Sequence, residues 1–198
     1  MKSVILASLF VLLLGIAYFA FTQPTNIETA DKLPPTESGA GSLPDLLTGH
    51  MQNFVLSTDG QQAPDFAFSD GDGNRLTFAD FRGKILVLNI WATWCGPCRR
   101  EMKSLQNLQR RFGDDITVLP LSIDRDGAGP VREFYEEYGI DDLGIFLDPG
   151  GTNTRALTIG VPATFVYDRE GRGLGFLLGP AEWASDDAIA LISAFVDR

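Results

Sequence analysis

The chain has 198 residues, 44% of them hydrophobic, enough for one folded domain of about 100–200 residues plus extensions. Its formal net charge is −10, which argues against a nucleic-acid partner, because phosphate binding needs a basic face. Its two cysteines cannot supply a four-thiolate zinc site.

Residues 4–21 form an apolar run interrupted only by Ser8, with Lys2 before it. About 18–20 apolar residues span a bilayer as a helix. The expectation is an uncleaved transmembrane anchor over residues 1–21. A cleaved signal peptide is the alternative, with its best site after Ala17, but Tyr18, Phe19, Ala20 and Phe21 then continue the apolar run. No cysteine lies near this run, so an N-terminal lipid anchor is excluded. Lys2 favours a cytoplasmic N-terminus with the remainder exported.

Residues 22–57 carry Pro24, Pro34, Pro35 and Pro44 and the polar run 37–42, and read as a flexible tether. Within that stretch, residues 50–56 hold a few apolar side chains, open to a short docking helix. The only histidine, His50, sits there, ahead of a folded domain expected over 58–198.

Residues 66–68 predict a short strand and residues 69–74 a turn. Asp70, Asp72 and Asn74 have the spacing of a calcium loop. Arg75 stands where that loop needs glycine and Phe81 where it needs a bidentate glutamate, which excludes calcium. Residues 85–91 are almost continuously apolar, as in a strand covered on both faces. A helix starts near Pro97, with Met102, Leu105, Leu108 and Phe112 on one face and Gly113 as its stop. Residues 116–123 predict the next strand. Pro120 within it removes a ladder donor and predicts a bulge or an unpaired side.

Pro130 opens a second helix, with Val131, Phe134, Tyr135 and Tyr138 on one face and Gly139 as its stop. A short strand over 145–147 and an irregular crossover over 150–157 follow. Residues 164–167 and 173–178 flank the turn Asp168-Arg169-Glu170-Gly171 and predict a hairpin. The glycines at 171, 173 and 175 open no helix, so a dinucleotide site is discounted. Ser185 caps a last helix, with Asp186 and Asp187 in its first turn. The sum is α/β, a mixed sheet covered by helices.

The chemistry concentrates in Trp-Ala-Thr-Trp-Cys-Gly-Pro-Cys-Arg, residues 91–99. A two-residue spacer closes too short a loop for Cys95 and Cys98 to staple the fold effectively. Cys95 ends the loop after a buried strand, at a helix N-terminus whose free N–H groups favour a thiolate. Cys95 is therefore the candidate nucleophile, and Cys98, in the first helical turn, the resolving thiol. The pair stores two electrons without a cofactor. Gly96 permits close approach and Pro97 stiffens the turn. Trp94 is read as an apolar wall beside the sulfur, and Trp91 as core. Arg99 and Arg100 either support the thiolate or form a solvated helix face. Glu101, three residues past Cys98, either moves the resolving thiol's proton or is an exposed helix glutamate.

These residues resemble the thioredoxin superfamily, and most closely the membrane-anchored TlpA-type thiol:disulfide interchange proteins of bacteria. The matching stretches are 91–99, 76–83, Gly-Val-Pro-Ala-Thr-Phe at 160–165, and Gly-Pro-Ala-Glu-Trp at 179–183. The resemblance runs from about residue 50 to the C-terminus and implies a thioredoxin fold behind an N-terminal transmembrane helix. It implies that Cys95 and Cys98 are the redox pair and that Pro162 follows a cis peptide bond. It places Val161 and Pro162 beside the sulfurs, receiving an extended substrate segment. It raises the standing of Glu101, since related membrane-bound reductases have a functional glutamate there. Two departures stand out: Lys103 replaces a proline that kinks the helix in many relatives, and Asn89 replaces thioredoxin's buried aspartate.

The resemblance implies a periplasmic protein held in the bacterial inner membrane by a single span. It implies a dithiol reductant of partner-protein disulfides, re-reduced by a membrane electron donor. Its implied clients are copper-site proteins of cytochrome oxidase, or apocytochrome c. No cofactor and no metal are expected. Two alternatives are weaker. A thiol peroxidase needs threonine where Ala92 stands, and a copper chaperone of this fold needs a histidine within the domain.

Overall fold

The computed structural model describes residues 42–198. The expected anchor over 1–21, and the tether as far as residue 41, lie outside the described residues. The strands are β1 (Val55–Leu56), β2 (Ala67–Asp70), β3 (Arg75–Thr77), β4 (Ile85–Trp91), β5 (Ile116–Ser122), β6 (Phe146–Leu147), β7 (Ala163–Tyr167) and β8 (Gly173–Leu178). They make one sheet in the order β1-β8-β7-β4-β5-β6-β2-β3. The helices are α1 (Gly96–Phe112), α2 (Ala128–Tyr138) and α3 (Asp186–Val196).

β4 is buried along its whole length, as its unbroken apolar run requires. Its side chains alternate between two cores. Ile85, Val87 and Trp91 pack under the helices with Met102, Leu105, Val131 and Leu191. Leu86, Leu88 and Ile90 meet Phe68, Phe78, Leu119 and Tyr167 on the opposite face. β4, β5 and β6 are parallel and step in one direction. Right-handed crossovers therefore put α1 and α2 on one face. The return from β6 to β7 passes over the other face through two short 3₁₀ turns, Pro149–Gly151 and Thr154–Ala156.

Pro120 stays in register opposite Asn89 with no bulge between β4 and β5. β6 pairs only with Leu121 and Ser122, so no strand flanks Pro120 on its far side. α2 begins at Ala128, with Pro130 in its first turn, and closes at Gly139, whose φ is 63°. The hairpin and the Ser185 cap form where the sequence places them. Residues 70–74 close on themselves: Asp70 accepts the N–H groups of Asp72 and Asn74 and the Asn74 amide.

The folded unit begins before residue 58, which corrects the expected tether boundary. Residues 42–57 form two 3₁₀ turns, Leu43–Leu46 and Gly49–Met51, and strand β1, in place of a docking helix. Met51 and Phe54 are buried in the helix-side core. The Met51 N–H donates to Asp187 at the start of α3 (3.0 Å), and β1 pairs with β8. Apolar side chains at wide spacing outweigh the local Pro/Gly composition here, because α3 and β8 offer them a surface to cover.

Candidate active site

α1 starts just beyond the C-terminal end of the central strand β4. Cys95 caps the helix, and its Sγ accepts the N–H of Cys98 at 3.3 Å. A disulfide joins Cys95 to Cys98, and both are buried. The Cys95 Sγ lies 3.7 Å from the carbonyl oxygen of Val161. The Val161–Pro162 peptide is cis. So the loop before β7 lies against the sulfur, as the resemblance implies.

Asp124, just past the end of β5, ties down the loop before Cys95. Its carboxylate accepts the Thr93 N–H at 2.9 Å, the Thr93 hydroxyl at 2.7 Å and the Ser122 hydroxyl at 2.7 Å. Sequence reasoning missed Asp124. The available signal was its position just past the C-terminal end of a parallel strand, where α/β proteins build their sites.

Trp94 is 68% exposed and Ile159 fully exposed. With Val161, Ile90 and Ile123 they line a groove of about 750 Å³ beside the disulfide. Trp94 is thus an exposed apolar wall of this groove. Gly96 is exposed and Pro97 half-buried in the first turn of α1. The two arginines part company. Arg99 donates to the Tyr138 hydroxyl, and its guanidinium lies 5.0 Å from the Tyr138 ring centre and 5.5 Å from that of Phe134. Arg100 keeps a guanidinium nitrogen 3.8 Å from where a Cβ on Gly96 would stand.

Glu101 is only 2% exposed, which excludes the solvated-face reading. Its Oε1 accepts the Asn89 amide at 2.9 Å; its Oε2 accepts the Ala181 N–H at 3.0 Å and the Trp183 indole N–H at 3.4 Å. Burial pushes its carboxyl up to about 7, against the pull of these three donors. Cys98 lies one turn earlier on the same helix, fully buried. A carboxyl poised near neutrality below the resolving sulfur can take or return one proton. The 179–183 stretch, singled out in the sequence only by resemblance, supplies two of the donors. Lys103 leaves α1 unbroken and donates to the Gly139 carbonyl at 2.8 Å.

The AhpC/TSA family model matches residues 60–172. The chain belongs to the AhpC/TSA family. Thioredoxin-like protein YneN of Bacillus subtilis is 34% identical over 115 residues, covering 57% of this chain and 67% of YneN. Thiol-disulfide oxidoreductase ResA of Bacillus cereus is 30% identical over 129 residues, 64% of this chain and 73% of ResA. Among solved structures, a protein assigned as thiol:disulfide interchange protein DsbE of Chlorobium tepidum superposes with a TM-score of 0.63 at 26% identity. The match covers 72% of this chain and 99% of that one. A DsbF homologue from Corynebacterium diphtheriae gives 0.59 at 28%, covering 72% and 92%. The AhpC/TSA assignment, the Cys95–Cys98 pair and these relatives make the chain a thiol-disulfide oxidoreductase of the TlpA type.

Proposed function

We propose that this oxidoreductase works as a dithiol reductant of disulfides in exported partner proteins. The observation that carries the exchange chemistry is the Cys95–Cys98 pair at the mouth of α1, against the cis Val161–Pro162 peptide, with the buried Glu101 carboxyl one turn below Cys98. In the reduced protein the Cys95 thiolate attacks a client disulfide. One client sulfur leaves as a thiolate, and the other is joined to Cys95. Glu101 takes the proton of the Cys98 thiol. The Cys98 thiolate then attacks Cys95 Sγ, and the second client sulfur leaves. Cys95–Cys98 ends as the disulfide, the client as a dithiol. The proton on Glu101 returns to the medium or to a departing thiolate.

The direction of flow has three supports. Gly96-Pro97 is the pair found in thioredoxin, with a potential of about −270 mV, against about −120 mV for the oxidant DsbA. A strong oxidant stabilises its thiolate heavily, commonly with a histidine in the motif; here the motif has none. Arg99 is drawn away to Tyr138 and Phe134, leaving the sulfur the Cys98 N–H at the start of α1 as its donor.

The same proposal includes the cellular setting. Residues 1–21 anchor the chain in the bacterial inner membrane, the domain lies in the periplasm, and a membrane donor re-reduces it. The TlpA-type resemblance points to copper-site proteins of cytochrome oxidase or apocytochrome c as clients. Val161, Pro162, Gly96, Pro97 and Trp94 form the surface that receives them. The deciding experiment is equilibration with glutathione followed by thiol counting. A potential nearer about −270 mV supports a reductant; one near about −120 mV reverses the direction.

A further inference from the structure

Glu101 Oε2 faces two donors that cannot reverse, the Ala181 backbone N–H and the Trp183 indole N–H. Oε1 faces one that can, the side-chain amide of Asn89. The same Asn89 Nδ2 donates to Thr164 Oγ1 at 2.9 Å, while Asn89 Oδ1 is buried with no partner. Asn89 and Thr164 are fully buried. This arrangement suits the ionised carboxylate, because every contact ends on an acceptor oxygen. A proton on Oε2 would meet a fixed donor. A proton on Oε1 meets Nδ2, unless the amide turns over.

A half-turn of the amide exchanges Oδ1 and Nδ2 with almost no change in shape. Oδ1 then accepts from the protonated Glu101. Thr164, whose hydroxyl donates as well as accepts, donates to the same oxygen. The group left without a partner becomes Nδ2 instead of Oδ1. Each state carries one unmatched polar group, so neither is a deep trap.

We propose that Asn89 is the positioning residue that lets Glu101 exchange its proton, by turning its amide between donating through Nδ2 and accepting through Oδ1. The role rests on the reading of Glu101 as the base for Cys98. It also gives a reason for asparagine at this point. An aspartate would set a second negative charge beside Glu101, and an apolar side chain could follow neither state. The groups bonded to the Glu101 carboxylate are Asn89 from β4 and Ala181 and Trp183 from the segment before α3; Thr164 of β7 reaches Asn89, and Cys98 stands one turn away on α1. The Glu182 side chain is exposed, and none of the ion pairs among the described residues includes Glu101.

The test is NMR on the full chain in detergent, oxidised, with ¹⁵N-asparagine and ¹³C-carboxyl glutamate. Above the Glu101 midpoint, the Asn89 amide protons should show nuclear Overhauser contacts to the Glu101 and Thr164 side chains. Below it, those contacts should vanish. Glu101→Gln imitates the protonated acid and should lack them at every pH. If the carboxyl titrates while the contacts persist, the role of Asn89 falls and that of Glu101 stands. If the carboxyl does not titrate between pH 5 and 9, the base reading falls and this one with it. A kinetic arm follows alkylation of Cys98 in reduced Cys95→Ser protein. Loss of a hydrogen bond to a charged group is worth about tenfold, so Asn89→Ala should slow alkylation at neutral pH by about that factor and move its midpoint up. Asn89→Ser, whose hydroxyl stops one bond short of Glu101, should restore little of the rate. Equal profiles for both variants and the parent would overturn the proposal.

Discussion

The Glu101 carboxylate accepts the backbone N–H of Ala181 at 3.0 Å, tying the first turns of α1 to the segment before α3 across 80 positions of sequence. The bond places an ionisable group where water does not reach. Desolvation outweighs its three donors, and the carboxyl is pushed from 4.5 up to about 7. Between those values the folded chain holds a proton that the unfolded chain has released. Stability contributed by this group is therefore greatest below pH 4.5, falls as pH rises toward 7, and levels above it. The gap corresponds to about 3 kcal/mol. Glu101→Gln has no such charge to bury. We expect the stability of the variant relative to the parent to rise by up to about 3 kcal/mol between pH 4.5 and 8. Urea unfolding of both oxidised proteins across that range measures it. A constant difference would show that Glu101 does not titrate there.

Cys95 is the sulfur at the helix mouth, against Val161, while Cys98 is sealed beneath it. Cys98→Ala should accumulate mixed disulfides with clients through Cys95, and Cys95→Ala should accumulate none. Mass spectrometry of trapped complexes names the sulfur and the client together. Trapping through Cys98 alone would reverse the assignment.

The sequence was most informative where local chemistry and burial agree. Residues 85–91 read as a doubly covered strand because no polar side chain but Asn89 interrupts them. The cysteine pair and its helix follow from proline, glycine and spacing. Glu101 was ambiguous, since its burial depends on Trp183 and Ala181, brought in from the far end of the chain. Asp124 was missed for the same reason: its partner Thr93 is remote in sequence and adjacent only through the β4–β5 pairing. Residues 42–57 misled because their composition is that of a linker, whereas their fate is set by the surface that α3 and β8 present.

That last segment gives a stability prediction. The Phe54 ring is buried against Phe195, with ring centres 6.1 Å apart, and lies over Gly175 in β8. A Cβ at position 175 would stand 2.3 Å from Phe54 Cε1 and 2.4 Å from the Val55 carbonyl oxygen. Glycine is thus the residue that lets β1 and Phe54 close on β8. Phe54→Ala should cost about 3–5 kcal/mol in urea unfolding, the usual range for a buried phenylalanine. Gly175→Ala should destabilise as well, through overpacking. A change within about 0.5 kcal/mol for Phe54→Ala, the range of ordinary surface substitutions, would return residues 42–57 to the role of a tether.

Trp94 and Ile159 are the large apolar side chains left open beside the disulfide, at 68% and 107% exposure. Scattered exposed apolar groups are ordinary, but here two of them line one groove with Val161, the residue against the sulfur. A folded or extended client must cover them to bring its disulfide to Cys95. A small thiol need not. Trp94→Ala removes the larger of the two faces without touching the cysteines, Glu101 or Asp124. Truncating an aromatic residue at the centre of an interface commonly costs about 2 kcal/mol or more, roughly thirtyfold in affinity. We therefore expect KM for a protein disulfide to rise by about that factor, with exchange against glutathione nearly unchanged. The comparison needs both substrates assayed on one preparation. Parallel loss with both would mean that Trp94 shapes the sulfur site itself, and an unchanged KM for protein disulfides would mean that clients dock elsewhere.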